Sequence, residues 1–198
     1  VVTQVRVNRD DPAFENPTKP IGGFMNEDEA NQRAEREGWT VVEDAGRGWR
    51  RVVASPEPQE IVELEAVRTL LNAGIITITV GGGGIPVTLT EEGDLKGVAA
   101  VIDKDFASSR LAQSIEAELF LISTAVEQVY LNYRQPNQQA IEEMTVSEAK
   151  QYLKEGHFAK GSMEPKVRAI ISYLENGGQV AIITDPPHIT AALHGTAG

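Results

Sequence analysis

Apolar residues recur at helical spacing over positions 61–71, and this pattern ends at Gly74. Positions 75–80 then form a near-continuous apolar run, which predicts a strand buried on both faces, as in parallel sheets. Helix and strand patterns keep alternating at short spacing towards the C-terminus. The predicted elements there are helices at about 105–117 and 145–155, a helix with Pro165 in its first turn that ends at Gly177, and strands at 119–122 and 180–183.

The part of the chain before position 56 follows a different pattern. A β-branched run at 1–7 predicts a strand, and a loop rich in Pro and Gly follows it. Asn26 and Glu29 have the spacing of a reciprocal helix cap, and two short strand patterns come after the helix, at 40–43 and 49–53. We therefore interpret residues 10–55 as a small appended α+β piece, polar and hinged at both ends.

The alternation of helices and strands predicts an α/β sandwich with a mostly parallel sheet. Composition agrees with a folded chain, because 41% of the 198 residues are hydrophobic and 24% are charged. No apolar run has the roughly 18 residues that a membrane span needs. The sequence opens on a strand pattern without an initiator Met and stops in a loop pattern, so we expect that both ends are cut.

The net charge restricts the class of partner. A formal charge of −11 repels nucleic acid and anionic membrane surfaces, so an anionic ligand has to be held by a local cluster of lysines and backbone amides. The chain contains no cysteine, which excludes disulfides and thiolate metal sites. We expect a cytoplasmic protein on this basis.

Four consecutive glycines, Gly81, Gly82, Gly83 and Gly84, follow the predicted strand at 75–80. Parallel sheets bind ligands in the loops beyond the carboxyl ends of their strands. Glycines allow positive φ and let a ligand approach the backbone amides closely. The alternative is a flexible turn, and the absence of a following Gly-Lys-Ser or Gly-Lys-Thr excludes a Walker A loop.

Two further segments carry lysines in settings that suit phosphate. Asp103, Lys104 and Asp105 stand at a predicted helix start, where the lysine could face phosphate oxygens while a carboxylate fixes its position; helix capping is the alternative. In the segment 156–166, a Gly-Ser turn precedes a helix start, and Lys166 falls in its first turn. Because a lysine is poorly placed at that end of the helix dipole, we expect an anion beside it. His157 lacks a second ligand at metal spacing, and a packed or surface role is its alternative.

Five groups of residues stand out along the chain. They are Pro17-Thr18-Lys19-Pro20-Ile21-Gly22, Glu43 to Val53, Gly81 to Val87, Ala100 to Ser108, and Gly156-His157-Phe158 with Gly161-Ser162-Met163 and Pro165-Lys166. In this order they resemble the motifs of the carbamate kinases, a branch of the amino-acid kinase family, and the resemblance spans the whole chain. The run Asp44 to Val53, together with Thr18 and Lys19, is typical of the carbamate kinase branch.

The resemblance implies a three-layer α/β sandwich around an open, mostly parallel sheet, with the N-terminal part missing. Residues 1–97 would form an incomplete lobe for carbamate or carbamoyl phosphate, with a protruding subdomain at about 10–55, and residues 98–198 would form the nucleotide lobe. The implied activity is reversible phosphoryl transfer between ATP and carbamate, as used in arginine catabolism. The implied partners are ATP or ADP with Mg²⁺, carbamate or carbamoyl phosphate, and a second copy in a homodimer, with no metal ion held by protein residues.

Roles carried over from the resemblance fall into three groups. Lys19, Lys104 and Lys166 would neutralise the transferred phosphoryl group and the nucleotide phosphates, and either Asp103 or Asp105 would orient the lysines. The glycines Gly81 to Gly84 would approach carbamoyl phosphate. The residues expected to shape the nucleotide pocket are Thr124, Val126, Tyr130, Tyr133, His157, Phe158, Gly161, Ser162 and Met163.

The chain also departs from the family pattern. It lacks the Gly-Gly-Asn loop that binds the transferred phosphoryl group and the Gly-Asn-Gly-Pro-Gln segment, and it has Gly23 and Glu164 where a proline and a small or apolar residue are expected. Three hypotheses follow: part of a carbamate kinase, a truncated non-catalytic nucleotide-binding chain, or a related kinase of amino-acid carboxylates. Lys19 and the run 47–53 disfavour the third, because those relatives lack this subdomain.

Overall fold

The computed structural model describes residues 1–44 and 46–198. Ala45, which belongs to the run from Glu43 to Val53, lies outside the described residues. The chain divides into two compact units, Val1–Lys104 and Asp105–Gly198. None of the helices among the described residues is long and apolar enough to cross a membrane.

The described residues of the first unit form two sheets and two helices, with a short 3₁₀ turn at Pro12–Phe14. Its elements are β1 (Gln4–Val7), β2 (Lys19–Met25), α1 (Glu27–Glu37), β3 (Thr40–Glu43), β4 (Trp49–Val53), β5 (Pro58–Ile61), α2 (Leu64–Asn72), β6 (Ile85–Leu89) and β7 (Leu95–Gly97).

The larger sheet of this unit has the order β5-β1-β6-β7. Strand β1 runs antiparallel to β5 and parallel to β6, so that Val5 lies opposite both Ile61 and Pro86. Val5 and Val7 alternate with more exposed residues and are buried together with Ile61 and Val67 of α2. This core fixes β1, and with it the residues that directly precede it.

The second sheet of the first unit is antiparallel, in the order β2-β4-β3, and carries α1. Asn26 caps α1 by accepting a hydrogen bond from the Glu29 backbone N–H at 2.8 Å, which is one half of the predicted reciprocal cap. The helix ends at Gly38 in the left-handed region with φ of 68°, which only glycine adopts at little cost. The helix and both strands predicted within 26–53 are confirmed.

The second unit consists of helices around a parallel strand pair, a small hairpin and a 3₁₀ turn at Pro186–His188. Its first helix begins at Lys104, one residue before the unit itself. The elements are α3 (Lys104–Ser114), β8 (Leu119–Ser123), β9 (Val129–Leu131), β10 (Gln139–Ile141), α4 (Val146–Glu155), α5 (Met163–Glu175), β11 (Val180–Thr184) and α6 (Ile189–Leu193).

Tyr173 of α5 lies at the centre of this unit's core and is fully buried. Its ring packs against Phe120 of β8 with centroids 5.4 Å apart, and its hydroxyl donates to the Ala117 carbonyl. Gly178 passes so close to this ring that a Cβ there would lie 2.4 Å from a ring carbon. Elsewhere in the unit, Thr145 and Glu148 form the predicted capping box of α4.

Several predicted features of the fold are wrong in detail. The loop rich in Pro and Gly that was predicted after the first strand contains the strand β2, which forms because Lys19 and its neighbours pair with β4. Ile61 ends β5 instead of opening a helix, and residues 75–80 form no paired strand. Ile76 and Ile78 are 95% and 85% exposed, whereas the apolar run predicted burial on both faces. A strand is buried on both faces only within a sheet whose two faces are covered, whereas Ile78 and Val80 are hydrogen-bonded here to the N-terminal residues Val1 and Thr3.

The α/β class is confirmed, and among the described residues the strands are distributed over four separate sheets. Among the described strand pairs, β1–β6 and β8–β11 are parallel and the others are antiparallel. A single mostly parallel sheet therefore does not describe this chain. The difference arises because the unpaired run at 75–80 adds no parallel pair, while the appended sheet and the hairpin add antiparallel ones.

Candidate active site

Lys19 and Asp103 form a charged pair within the first unit. The Lys19 ammonium donates to the Asp103 carboxylate at 2.8 Å, with side-chain exposures of 37% and 13%. Lys19 opens β2, and Asp103 directly precedes α3, so both side chains project from the ends of regular elements. An ammonium has three N–H donors, and the pair uses one of them, so that donors remain for an anion.

Lys166 and Asp105 form the second pair, within the second unit. The Lys166 ammonium donates to the Asp105 carboxylate at 2.9 Å, and only 12% and 9% of the two side chains are exposed. Charges this far from water are stable in proteins only when they are paired. The sequence left open whether Asp103 or Asp105 orients the lysines; each aspartate holds a different lysine.

The environment of Lys166 refines the argument for phosphate at this helix. Lys166 is the fourth residue of α5, and the anion beside it in the structure is Asp105 of the chain itself, so a phosphate at this position stays a prediction. The start of α5 has fewer free amides than the sequence suggested. The Glu164 N–H donates to the Ala159 carbonyl at 3.1 Å, and Pro165 has no N–H.

The remaining lysines of these segments are exposed to water. Lys104 is the first residue of α3, and within the described part of the chain it forms no ion pair. Lys160 is exposed as well. The two lysines that are held in a defined position are therefore Lys19 and Lys166.

The four glycines divide into two kinds. A Cβ on Gly83 would lie 2.1 Å from the Ile102 carbonyl oxygen, and one on Gly84 would lie 2.4 Å from a methyl of Val5. These two glycines are needed for packing. A Cβ on Gly81 or Gly82 would meet no atom within 4 Å, and both residues are exposed, so their amides are the accessible part of the loop.

The residues predicted for the nucleotide pocket lie in three places in the second unit. Thr124 follows β8, and its N–H donates to the carbonyl of Thr184 at the end of β11, which ties the carboxyl ends of the two parallel strands together. Val126 is half-buried in the same loop. Parallel sheets bind ligands at this end, and the nucleotide contacts of Thr124 and Val126 stay predictions.

Tyr130, Tyr133 and His157 belong to one side-chain group. The two tyrosine rings have centroids 5.8 Å apart, and a ring nitrogen of His157 lies 3.0 Å from the Asn132 side-chain oxygen. Tyr133 is 44% exposed, and the guanidinium of Arg134 lies 5.4 Å from the centre of its ring. The structure therefore brings the loop after β9 and the loop after α4 together.

The other residues predicted for the nucleotide pocket differ from that group in their burial. They are Phe158, Gly161, Ser162 and Met163. Phe158 is 4% exposed and belongs to the hydrophobic core, and Met163 packs against the same core. Gly161 and Ser162 are exposed. Packing explains Phe158 and Met163 without a ligand, and their predicted nucleotide contacts stay predictions.

Sequence reasoning missed an ionisable group at the carboxyl end of β11. A ring nitrogen of His188 lies 2.6 Å from a carboxylate oxygen of Asp185, and the other ring nitrogen lies 3.8 Å from Glu127, in the loop after β8. The hydrogen bond with Asp185, followed by the charges of Asp185 and Glu127, raises the pKa of His188. The signal was available, because Asp185 directly follows a predicted strand and precedes two prolines.

Comparison with known proteins places the chain in a family. The sequence profile described as the amino acid kinase family matches residues 28–185, which is most of the chain. The chain belongs to the amino acid kinase family. Members that it resembles over its whole length carry one activity in their names.

A carbamate kinase of Thermococcus kodakarensis is 50% identical over 198 residues, which cover 100% of this chain and 62% of that protein. The carbamate kinase-like protein YqeA of Escherichia coli is 51% identical over 199 residues, covering 100% of this chain and 64% of its own length. Among solved structures, a carbamate kinase from Giardia lamblia bound to AMP-PNP superposes with a TM-score of 0.90 at 45% identity, covering 100% of this chain and 63% of that one. This amino acid kinase chain therefore spans just under two thirds of the length of these relatives.

Proposed function

We propose that the protein to which this chain belongs is a carbamate kinase, which transfers a phosphoryl group reversibly between ADP and carbamoyl phosphate. Relatives named for this activity are 50% identical to it over the entire chain. The observation that carries the proposal is the pair of lysines, Lys19 and Lys166, that the fold holds against Asp103 and Asp105.

Phosphoryl transfer makes a limited demand on protein chemistry. The transferred group carries charge on its equatorial oxygens, and catalysis consists mainly of in-line placement and neutralisation of that charge. A lysine whose position is fixed by a carboxylate costs little reorganisation when the charge develops. Lys19 and Lys166 meet this requirement, and the exposed amides of Gly81 and Gly82 would add donors for carbamoyl phosphate.

The nucleotide would bind in the second unit, at the carboxyl ends of β8 and β11. Support comes from Thr124 at that edge, from the exposed ring of Tyr133, and from the AMP-PNP bound by the Giardia relative. Adenine rings stack favourably on aromatic faces, which gives Tyr130 and Tyr133 a role that their mutual packing alone does not require.

Mg²⁺ is proposed as the companion of the nucleotide and not as a resident of the protein. Asp103 and Asp105 each already accept a hydrogen bond from a lysine, and no group of three or more acidic or histidine side chains is arranged to hold a metal in the part of the chain described. These residues do not form a metal cage. Phosphate oxygens are the usual ligands of Mg²⁺ in kinases.

The oligomeric state, the cellular location and the metabolic role are also part of this proposal. We propose a homodimer, a cytoplasmic location and a role in arginine breakdown, on the strength of the resemblance to carbamate kinases alone. Size-exclusion chromatography with light scattering on the full-length protein tests the first of these, and a monomeric mass would contradict it.

A coupled assay tests the activity. The full-length protein is incubated with ADP, Mg²⁺ and carbamoyl phosphate, and ATP formation is followed with hexokinase and glucose-6-phosphate dehydrogenase. The matched arm supplies acetyl phosphate instead, and a second arm supplies ATP with a panel of amino-acid carboxylates. We expect ATP from carbamoyl phosphate only. Turnover confined to an amino-acid acceptor would favour the related amino acid kinases and contradict the proposal.

A second candidate function applies to the 198 residues taken alone, namely nucleotide binding without turnover. The share of the relatives' length that the chain spans favours this candidate. This chain spans only 62% of the Thermococcus relative, and it lacks the Gly-Gly-Asn amides expected to hold the phosphoryl group. Removing one such donor costs about 10²- to 10³-fold in kcat. ADP binding by calorimetry without ATP formation is the expected result for this chain, and near-normal turnover would exclude the candidate.

A further inference from the structure

Val80, the residue directly before the four glycines, has an unusual backbone. Its φ is 49°, in the left-handed region, although it is β-branched and 4% exposed. β-Branched residues rarely adopt this conformation, and it persists only where surrounding contacts determine it. The contact that fixes its N–H comes from Thr3.

Thr3 binds both ends of the glycine loop. Its hydroxyl accepts a hydrogen bond from the Val80 N–H at 3.0 Å, and its carbonyl accepts one from the Ile85 N–H at 2.8 Å. Val80 and Ile85 are the residues on either side of Gly81 to Gly84. Thr3 itself is 5% exposed and directly precedes β1, so the sheet fixes its position.

The hydroxyl of Thr3 uses its full hydrogen-bonding capacity. It lies 2.9 Å from the Thr79 hydroxyl and 3.2 Å from the Val1 carbonyl, in addition to the Val80 N–H. A threonine hydroxyl has one donor and two acceptor positions. Donation to Val1, with acceptance from Thr79 and Val80, satisfies all three contacts together.

Within the loop, the same constraint determines which amides face outward. The Gly83 N–H turns back to the Val80 carbonyl at 2.6 Å, and Gly83 packs on the Ile102 carbonyl. The accessible amides are then those of Gly81 and Gly82. Ile102 directly precedes Asp103, the partner of Lys19, so one packed segment supports both the loop and the lysine.

We propose that Thr3 is a positioning residue for phosphoryl transfer, which acts by holding the Gly81–Gly84 loop so that its amides and Lys19 are placed for the phosphate of the substrate. This inference rests on the proposed carbamate kinase activity. Thr3 touches no substrate in this role. Its effect passes through the Val80 and Ile85 amides.

The test uses three variants of the full-length protein. Thr3→Val keeps the shape of the side chain and removes the acceptor for the Val80 N–H. Thr3→Ser keeps the hydroxyl and removes a methyl group. Thr77→Val is the control, because Thr77 lies in the same segment as Val80 and its hydroxyl makes none of these contacts. We expect Thr3→Val to lower kcat by about 10-fold or more with little change in KM, since a full misplacement of about 1 Å can lower a rate by about 10²-fold. Thr3→Ser should retain most of kcat, and Thr77→Val should match the wild type.

Hydrogen exchange of the Val80 amide provides a readout that needs no turnover. Its exchange should accelerate in Thr3→Val and not in Thr3→Ser. Should Thr3→Val fail to fold, the pair Thr3→Ala and Thr3→Ser carries the same comparison, since neither substitution adds volume.

Equal kcat values for the hydroxyl-bearing and hydroxyl-free variants would overturn the proposal, as would a loss seen only in KM or an unchanged Val80 exchange rate. A wild-type protein inactive with carbamoyl phosphate would instead overturn the proposed function and the catalytic part of this inference with it. The exchange result would then still decide whether Thr3 holds the loop.

Discussion

Lys166 and Asp105, 61 positions apart in the chain, are joined at 2.9 Å with only 12% and 9% of their side chains exposed. Such a pair has two properties that experiments can separate. It neutralises two charges that would be costly to bury singly, and it holds one positive charge in a fixed position. The first concerns stability and the second concerns phosphoryl transfer.

Lys166→Met should destabilise the protein and lower kcat, whereas Lys160→Met should do neither. Removing one partner of a largely buried pair costs about 3 kcal/mol, because the other charge is left without compensation. Lys160 is exposed, and its loss removes no described contact. Chemical denaturation and steady-state kinetics on both variants provide the measurement.

The double variant Lys166→Met with Asp105→Leu then distinguishes the two roles. Replacing both charges by apolar groups should restore most of the lost stability while kcat stays low. Recovery of kcat in the double variant would show that Lys166 serves the fold alone, and its assigned contact with phosphate would have to be withdrawn.

Lys19→Met should have the opposite balance, a large effect on turnover and a small one on stability. Lys19 is 37% exposed, and ion pairs of this kind stabilise proteins by about 1 kcal/mol or less. Lys96→Met is the matched control, since Lys96 is an exposed lysine of the same unit on β7. A fall of kcat/KM for carbamoyl phosphate by about 10²-fold or more in Lys19→Met alone is the expected result. A variant as active as the control would contradict the role of Lys19.

His188 should make stability depend on pH in one direction. Its pKa is raised above the ordinary value of about 6.5 by the hydrogen bond with Asp185 and the charges of Asp185 and Glu127. A raised pKa in the folded state contributes stability that is fully present below about 6.5 and is lost as pH rises through the folded-state pKa. The melting temperature of the wild type should therefore exceed that of His188→Gln at pH 5.5, and the difference should vanish at pH 9.

His194→Gln is the control for that measurement, because His194 is exposed and forms no ion pair among the described residues. A difference between wild type and His188→Gln that stays constant from pH 5.5 to pH 9 would show that packing, and not the charge of His188, is responsible.

The 198-residue chain by itself should associate through the segment 75–80. Ile76 and Ile78 are 95% and 85% exposed, and exposed apolar surface of this kind favours association with other chains. Ile76→Thr with Ile78→Thr should shift the chain towards a monomer in light scattering. The comparison variant is Leu193→Thr, which removes an exposed apolar residue from a helix of the other unit. Equal behaviour of the two would mean that association, where it occurs, uses another surface.

Local patterns in the sequence carried most of the element predictions. The cap at Asn26, the capping box at Thr145 and Glu148, and the strand at 180–183 were predictable because each depends on residues close together in the chain. The run at 75–80 misled, because burial depends on which strands lie beside it and periodicity contains no such information. Ile61 was assigned to a helix for the same reason: its pairing partner, Val5, lies far away in sequence.

The residues of the candidate site could be predicted from the sequence, but the ion pairs that they form could not. The positions of Asp103, Asp105 and Lys166 were singled out, but no local rule assigns Lys19 to Asp103 and Lys166 to Asp105. Thr3 left no signal at all, since a threonine in an apolar run is ordinary. Its two contacts with the ends of a distant loop exist only in the folded chain.

The pairing of β1 with β6 also bears on the order in which the chain folds. Val5 meets Pro86 only after the whole appended sheet, α1 and α2 have been looped out between them, whereas β3 and β4 lie close together in the sequence. Contacts between distant residues form slowly, because the entropy of closing the intervening loop is lost before the contact contributes. In pulse-labelling experiments the amides of β3 and β4 should become protected first. The amide of Val80 should follow only with β1, so the glycine loop is among the last parts of the first unit to acquire its native shape.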